Sequence, residues 1–313
     1  MNKYNLITIT GATASGKTAI AANLAQKING EIISADSRQV YKNMDIGTGK
    51  DLQDYTINCK DDYGNSQSVN IPYHLIDIVD AGTKYNVYEY KKDFLTAYND
   101  IIYRNKIPIL CGGTCLYIEA VLKNYNMIYV PVNEELRNSL KHKTIDELEK
   151  ILVSYKPLHN KSDLDTTKRA IRAIEIEDFY NKNQLLNVEN VNINPLIIGI
   201  HFEREERRQR ITERLKQRLE NGLIEEVEKL QKLGISNEDI EYYGLEYKFV
   251  SWYLSGKISY DELFTQLNSA IHQFSKRQMT WFRKMEREGI KINWIDGNLP
   301  IEEKIRLILE LIY

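Results

Sequence analysis

The sequence predicts an α/β protein, a parallel sheet with flanking helices plus a helical insertion domain, and three observations carry that reading. Up to residue 120, short apolar runs alternate with helical periodicity, the rhythm of a doubly wound sheet. A charge-rich helical stretch at 123–192 then breaks the rhythm. An apolar run at 195–200 restores the strand signal, as expected of a chain that leaves a sheet and rejoins it. The chain is thus expected to divide into a core at 1–122, an insertion at 123–192, and a segment at 193–313 where a strand returns to the core and C-terminal helices follow. With 313 residues, 42% of them hydrophobic, it can bury one large core or two modest ones, which excludes a disordered or collagen-like protein.

Taken in order, residues 6–10 read as a strand, 17–27 as a helix, 31–34 as a strand, 94–103 as a helix and 107–111 as a strand. Residues 48–70 are polar and without periodicity, and read as a long loop. Helices are expected at 134–141, 144–154 and 165–180, and almost nothing but helix from 204 onward.

Lys and Arg number 42 against 44 Asp and Glu, so no global field draws the molecule to polyanions and any anionic partner must meet a local patch. Cys59, Cys111 and Cys115 are too few for a disulfide framework and form no CxxC pair, which fits a reducing cytoplasm. Neither a cleavable leader nor an 18-residue apolar span is visible, so no membrane association is expected.

Gly11-Ala12-Thr13-Ala14-Ser15-Gly16-Lys17-Thr18 satisfies G-x-x-x-x-G-K-[ST] and lies between an expected strand and an expected helix. Glycines let backbone amides converge on an anion, the helix N-terminus adds its dipole, Lys17 a point charge and Thr18 a hydroxyl for Mg²⁺. The core is therefore P-loop NTPase-like, and its loop holds a di- or triphosphate, ATP included. The usual accessories are weak: His74-Leu75-Ile76-Asp77 passes for a short Walker-B strand with Asp77 on magnesium, yet only two apolar residues precede the acid. No Asn-Lys-x-Asp signature of a GTPase is present.

Asp36, Ser37, Arg38 and Gln39 follow the second strand and so emerge at the carboxyl edge of the sheet, beside the phosphate loop. There Asp36 is placed as a general base, with Arg38 and Gln39 as donors to a base edge; a helix-capping segment is the plain alternative. Gly112-Gly113-Thr114 brings a hydroxyl to the same edge, or is simply a strand-to-helix turn. Arg207, Arg210, Arg214 and Arg218 share helical spacing beside an apolar stripe of Ile211, Leu215 and Leu219, a pattern that a solvated amphipathic helix explains adequately. Lys168-Arg169-Ala170-Ile171-Arg172 and the 276–284 cluster, with Trp281 and Phe282 among its cations, can hold phosphates and stack bases, or be ordinary helix faces.

In this order, these segments resemble the tRNA dimethylallyltransferase family, also called tRNA isopentenyltransferases. The resemblance runs from the phosphate loop through Ser34-Ala35-Asp36-Ser37-Arg38-Gln39-Val40-Tyr41, Asp45-Ile46-Gly47-Thr48 and His74–Asp77. It continues at Pro108–Tyr117, Lys168–Glu175 and Lys276-Arg277-Gln278-x-Thr280-Trp281-Phe282-Arg283, covering nearly the whole chain. Three departures are Ala12 for a usual proline, Cys115 where glycine is common, and Tyr243-Gly244-Leu245-Glu246 for a more typical Ile-Gly-Tyr-Lys/Arg-Glu. With no zinc finger at the C-terminus, a compact bacterial-type member is expected.

The resemblance implies transfer of a dimethylallyl group from dimethylallyl diphosphate to N6 of the adenosine 3′ of the anticodon in tRNA, giving N6-dimethylallyladenosine, with Mg²⁺ as cofactor. It implies that Gly11, Ala12, Thr13, Ala14, Ser15, Gly16, Lys17, Thr18 and Arg210 hold the diphosphate, that Thr18 binds the metal, and that Asp36 and Thr114 are catalytic. It further implies that Asp36, Ser37, Arg38, Gln39, Arg137, Lys168, Arg169, Ala170, Ile171, Arg172, Arg277 and Gln278 contact the anticodon stem-loop of tRNA. A cytoplasmic monomer is expected. Against it stand a small-molecule kinase of the nucleoside or shikimate type, which shares the loop and an Asp after the second strand, and a non-catalytic RNA-binding ATPase module.

Overall fold

The computed structural model describes residues 3–60, 65–125, 127–155, 157, 162–183 and 191–313. Asn126, Lys156, Leu158–Lys161 and the 184–190 stretch of the expected insertion lie outside the described residues. The chain separates into two compact units, 1–125 with 191–313, and 126–190.

The first unit begins with β1 (Leu6–Gly11), buried along its whole length, as befits a strand covered on both faces. It feeds α1 (Lys17–Ile28), whose Leu24, Ala21 and Ile28 pack inward, then β2 (Gly30–Ser34). The polar stretch expected as a loop folds further than its composition suggests. A short 3₁₀ turn leads into an antiparallel hairpin of β3 (Thr56–Lys60) and β4 (Ser66–Asn70), separate from the main sheet. Its cross-strand pairs Ile57–Val69 and Thr56–Asn70 hold it, a pairing that hydrophobic periodicity cannot reveal when one face is polar.

The strand expected around Asp77 is only β5 (Tyr73–His74). Leu75 and Asp77 take left-handed φ of 63° and 54°, which ends the strand before the acid. Next comes α2 (Val87–Tyr103), begun a turn and more before the expected start by an Asn86/Glu89 capping box. After it come β6 (Ile107–Gly112) and α3 (Cys115–Leu122).

In the second unit α4 (Glu134–Leu140), α5 (Ile145–Tyr155) and α6 (Thr167–Lys182) bury Leu140, Leu148, Leu152, Ala170 and Ile174. Ala170 is fully buried there, so its side chain cannot be the tRNA contact the resemblance implied. Glu175, 1% exposed, binds Arg137 through Nε at 3.0 Å and Nη2 at 2.9 Å, the Asn133 amide at 2.6 Å, and Arg172. Burial alone raises a carboxyl's pKa, but Arg137, the Asn133 amide and Arg172 outweigh it and hold Glu175 below the ordinary 4.5. A depressed carboxylate stabilises the fold above its unfolded pKa, and that contribution disappears as pH falls below about 4.5 and through the lower folded value. Glu175→Ala is expected to cost about 1–3 kcal/mol of this unit's stability at neutral pH, the buried-pair range discounted for two half-exposed arginines. Urea unfolding followed at pH 7 and pH 4 checks it, and the gap between parent and variant should shrink at pH 4.

The first unit resumes with β7 (Pro195–His201), then α7 (Arg204–Glu220), α8 (Leu223–Lys232), α9 (Asn237–Tyr242), α10 (Leu245–Leu254) and α11 (Tyr260–Arg287). Past these, β8 (Asn293–Asp296) interrupts the expected all-helical tail, and α12 (Ile301–Ile312) ends the chain. β8 pairs in parallel with β7 and closes one edge of a sheet ordered β5-β2-β6-β1-β7-β8, parallel throughout. That order puts the carboxyl ends of β1, β2 and β6 side by side, where an open α/β sheet gathers ligand-binding groups. No described helix is long and apolar enough to cross a membrane.

Candidate active site

At that edge lies a cleft of about 1170 Å³, floored by the turns after β1, β2 and β6 and walled by α7, α10 and α11. The β1–α1 loop supplies Thr13 through Thr18. Its path depends on left-handed residues, Ala14 at φ 63° and Gly16 at φ 70°, the second ready-made for glycine. The loop is held from outside as well. The Thr13 amide donates to Gln278 Oε1 at 2.9 Å, Gln278 Nε2 donates to the Gly113 carbonyl at 2.8 Å, and Arg210 Nε donates to the Ala14 carbonyl at 3.1 Å. A Cβ on Gly113 would sit 2.8 Å from Gln278 Nε2, so any other residue there would push the end of that side chain out of its present position.

Two partly buried cations face the loop. Lys17 Nζ rests on the Ala12 carbonyl at 2.9 Å and Ser15 Oγ at 3.3 Å, and burial pushes it down to about 8, the charge of Arg214 adding to the effect while Asp36 opposes it. Arg214 donates to Thr13 Oγ1, and burial beside Arg218 lowers it to about 9 against the opposing Glu246, Asp51 and Asp36. Desolvated cations around a loop of amides at a helix N-terminus make a site whose missing partner is an anion.

Beside them the turn after β2 carries Asp36, whose Oδ1 accepts the Arg38 amide at 2.9 Å, so that the residue caps a turn and not a helix. Thr114 Oγ1 accepts the Ser37 amide at 2.9 Å and approaches Ser37 Oγ at 3.3 Å, which makes it a brace of that turn. Gln39 accepts from Ser34 Oγ at 3.1 Å and donates to the Gly49 carbonyl at 3.0 Å. The Arg38 guanidinium lies 5.2 Å from the centre of the Tyr242 ring. Leu116, Leu245, Ile271, Phe274 and Trp281 give the cleft an apolar wall. Cys111 and Cys115 also line it, but burial pushes both thiols up to about 12, so neither is a nucleophile.

The IPP transferase family model matches residues 39–285, and that of isopentenyl transferase residues 4–63. The chain belongs to the IPP transferase family. It is 58% identical over 308 residues to tRNA dimethylallyltransferase 2 of Bacteroides fragilis, covering 98% of each chain. It is 57% identical over 313 residues to tRNA dimethylallyltransferase 1 of Parabacteroides distasonis, covering 100% of this chain and 99% of that one. Its fold matches the crystal structure of the full-length tRNA isopentenylpyrophosphate transferase of Bacillus halodurans with a TM-score of 0.69 at 31% identity, covering 99% of this chain and 96% of the other. A eukaryotic dimethylallyltransferase crystallised acting on tRNA shares the fold at a TM-score of 0.71 and 24% identity, over 93% of this chain and 73% of that one.

In this IPP transferase the residues expected at one site come together from five places in the chain: the phosphate loop, Asp36–Gln39, Thr114, Arg210 and Arg277. Asp77 does not join them. Its carboxylate pairs with Lys50, whose side chain is fully buried, and it does not line the cleft. Gln278 serves as the bridge described above, its side chain engaged at both ends while it also lines the cleft. Phe282 is core, as an aromatic residue usually is. Arg137 and Arg172 are committed to Glu175 within the second unit, while Lys168 and Arg169 are exposed.

Arg214 is the residue that sequence reasoning missed as a member of the site. Its helical spacing with Arg210 and Arg218 was the available signal, and only packing decides which member of such a stripe turns inward.

Proposed function

We propose that the chain transfers a dimethylallyl group from dimethylallyl diphosphate to N6 of the adenosine 3′ of the anticodon in tRNA. The observation that carries the reading is the pairing of desolvated Lys17 and Arg214 over the phosphate loop with a carboxylate, Asp36, across the same cleft. A kinase would share the loop, but full-length similarity to tRNA dimethylallyltransferases favours prenyl transfer over phosphoryl transfer.

In the reaction the C1–O bond of the donor breaks, the electron pair leaves with pyrophosphate, N6 bonds to C1, and the N6 proton passes to Asp36. Lys17, Arg214 and the loop amides oppose the charge that grows on the leaving group, with Arg210 at the rim. The apolar wall of Ile271, Phe274 and Trp281 suits a five-carbon allylic chain and keeps water from the electron-poor carbon. Adenine must leave the anticodon-loop stack to reach this depth, and Arg38 on Tyr242 offers a cationic aromatic platform beside its entry. Thr114 acts by fixing the Ser37 turn.

The donor set fits Mg²⁺ in one respect: Thr18 brings its hydroxyl to the cleft at the start of α1, while no cluster of three acidic, His or Cys ligands exists among the described residues. Thr18 together with diphosphate oxygens and water would hold the ion, which supplies charge neutralisation of the diphosphate when bound. Exposed Lys168 and Arg169 supply phosphate contacts for tRNA, joined by Arg137 and Arg172 where the Glu175 pairs leave them accessible, and Arg277 acts at the cleft. The working unit in this reading is a monomer in the cytoplasm, where its tRNA resides.

The test is incubation of the full chain with unmodified tRNA and isotope-labelled dimethylallyl diphosphate, followed by mass spectrometry of the nucleosides. Label in N6-dimethylallyladenosine is expected. Unlabelled tRNA together with ATP γ-phosphate transfer to a small molecule would establish the kinase instead.

A further inference from the structure

Glu226 sits in the first turn of α8, its side chain buried and away from the cleft lining. Its Oε2 accepts the amides of Asp45 and Ile46, both at 2.7 Å, and its Oε1 accepts the Gly47 amide at 2.9 Å and the Tyr247 hydroxyl at 2.7 Å. Three successive amides wrapped round one carboxylate form the kind of nest that elsewhere binds a free anion. Here the anion is built into the protein. The Tyr247 ring closes the arrangement from the other side, since a Cβ on Gly47 would lie 2.6 Å from it.

The segment so held reaches the site at once. Gly47, Thr48, Gly49 and Asp51 line the cleft, and the Gly49 carbonyl accepts Gln39 Nε2 at 3.0 Å. Lys50 fastens the segment at its far end, donating to the Tyr41 carbonyl at 2.6 Å and to Asp45 at 2.9 Å. The position of Gln39, and with it the Asp36–Gln39 turn, is thus referred through the 45–49 backbone to a carboxylate 179 residues further along the chain from Gly47. None of these bonds touches Lys17, Arg214 or the phosphate loop.

We propose that Glu226 is a positioning residue for the acceptor side of the cleft: it fixes the Asp45–Gly49 wall, and through it Gln39 and the turn that carries the base. The inference rests on the prenyl-transfer reading for its kinetics, but not for its structural half.

Glu226→Gln tests it, because the amide keeps the size while turning one acceptor oxygen into a donor that faces backbone N–H groups. Hydrogen exchange at the amides of 45–47 should quicken by tenfold or more, with amides in β1 and α1 unchanged. In steady state, kcat/KM for tRNA should fall by about tenfold or more while KM for dimethylallyl diphosphate stays within twofold, and Glu226→Asp should recover part of the loss. Tyr247→Phe, which removes one bond of the four, should show a weaker form of both effects. Unchanged exchange at 45–47 in Glu226→Gln overturns the clamp, whatever the enzyme does. Faster exchange with unchanged tRNA kinetics, or an equal loss on both substrates, overturns the acceptor-side assignment. If the parent chain itself fails to prenylate tRNA, the reaction assignment has failed and the exchange result still judges the clamp; should Glu226→Gln not fold, Tyr247→Phe and Glu226→Asp carry both measurements.

Discussion

Lys17→Ala and Arg214→Ala are each expected to lower kcat/KM by roughly 10²–10³-fold, the usual cost of removing one group that opposes charge developing in a transition state. The two lie over the same loop, one resting on the Ala12 carbonyl at 2.9 Å and the other bonded to Thr13, so the leaving diphosphate would meet both at once. Their combined loss should be less than the product of the single losses, because groups acting as a unit are not additive. KM for tRNA should move little.

A pH signature accompanies the effect. With the cleft empty, burial holds Lys17 at about 8, and a bound diphosphate favours its protonated form. Donor binding therefore takes up a proton above that pH, and KM for the diphosphate should rise as pH climbs past about 8. Lys17→Ala should lose that rise. Kinetics over pH 6.5 to 9.5 with saturating tRNA provide the measurement; donor KM values of both variants that match the parent's would place the diphosphate elsewhere.

Asp36→Asn is expected to reduce kcat by roughly 10²–10⁴-fold, the range for loss of a positioned base. The substitution is conservative in the structure, because the side-chain oxygen can still accept the Arg38 amide that Asp36 accepts at 2.9 Å. The turn, and the Ser37 bond to Thr114, should therefore persist, and tRNA should bind with nearly the parent's affinity. Single-turnover assays with preformed enzyme–tRNA complex separate the two roles. A normal chemical rate with weakened tRNA binding would move Asp36 from proton acceptor to recognition.

Much of the site was legible because its chemistry is local. The phosphate loop is one run of eight residues, and each requirement in it, the left-handed Gly16 or the helix that opens at Lys17, is met by immediate neighbours. The same holds for the β-rich rhythm of the first unit, since a parallel strand buried on both faces reads as an unbroken apolar run. The hairpin at 56–70 and the edge strand β8 were not legible, because short, partly polar strands show themselves only by what they pair with.

By itself, then, the sequence determined an α/β core with a phosphate loop, an acid after the second strand and a charge-rich insertion, all of them properties of short segments. Tertiary structure alone decided partners. Period 3.6 puts Arg210, Arg214 and Arg218 on adjoining turns, but only packing against the loop makes Arg214 the one bonded to Thr13. Spacing cannot tell that Gln278 answers Thr13 across 265 residues, that Lys50 takes Asp77 away from any metal, or that Glu226 closes on the amides of 45–47. The physical reason is that a buried polar group must be satisfied by whatever the fold brings within about 3 Å, and that neighbour is chosen by topology and not by the residue's own surroundings in the chain.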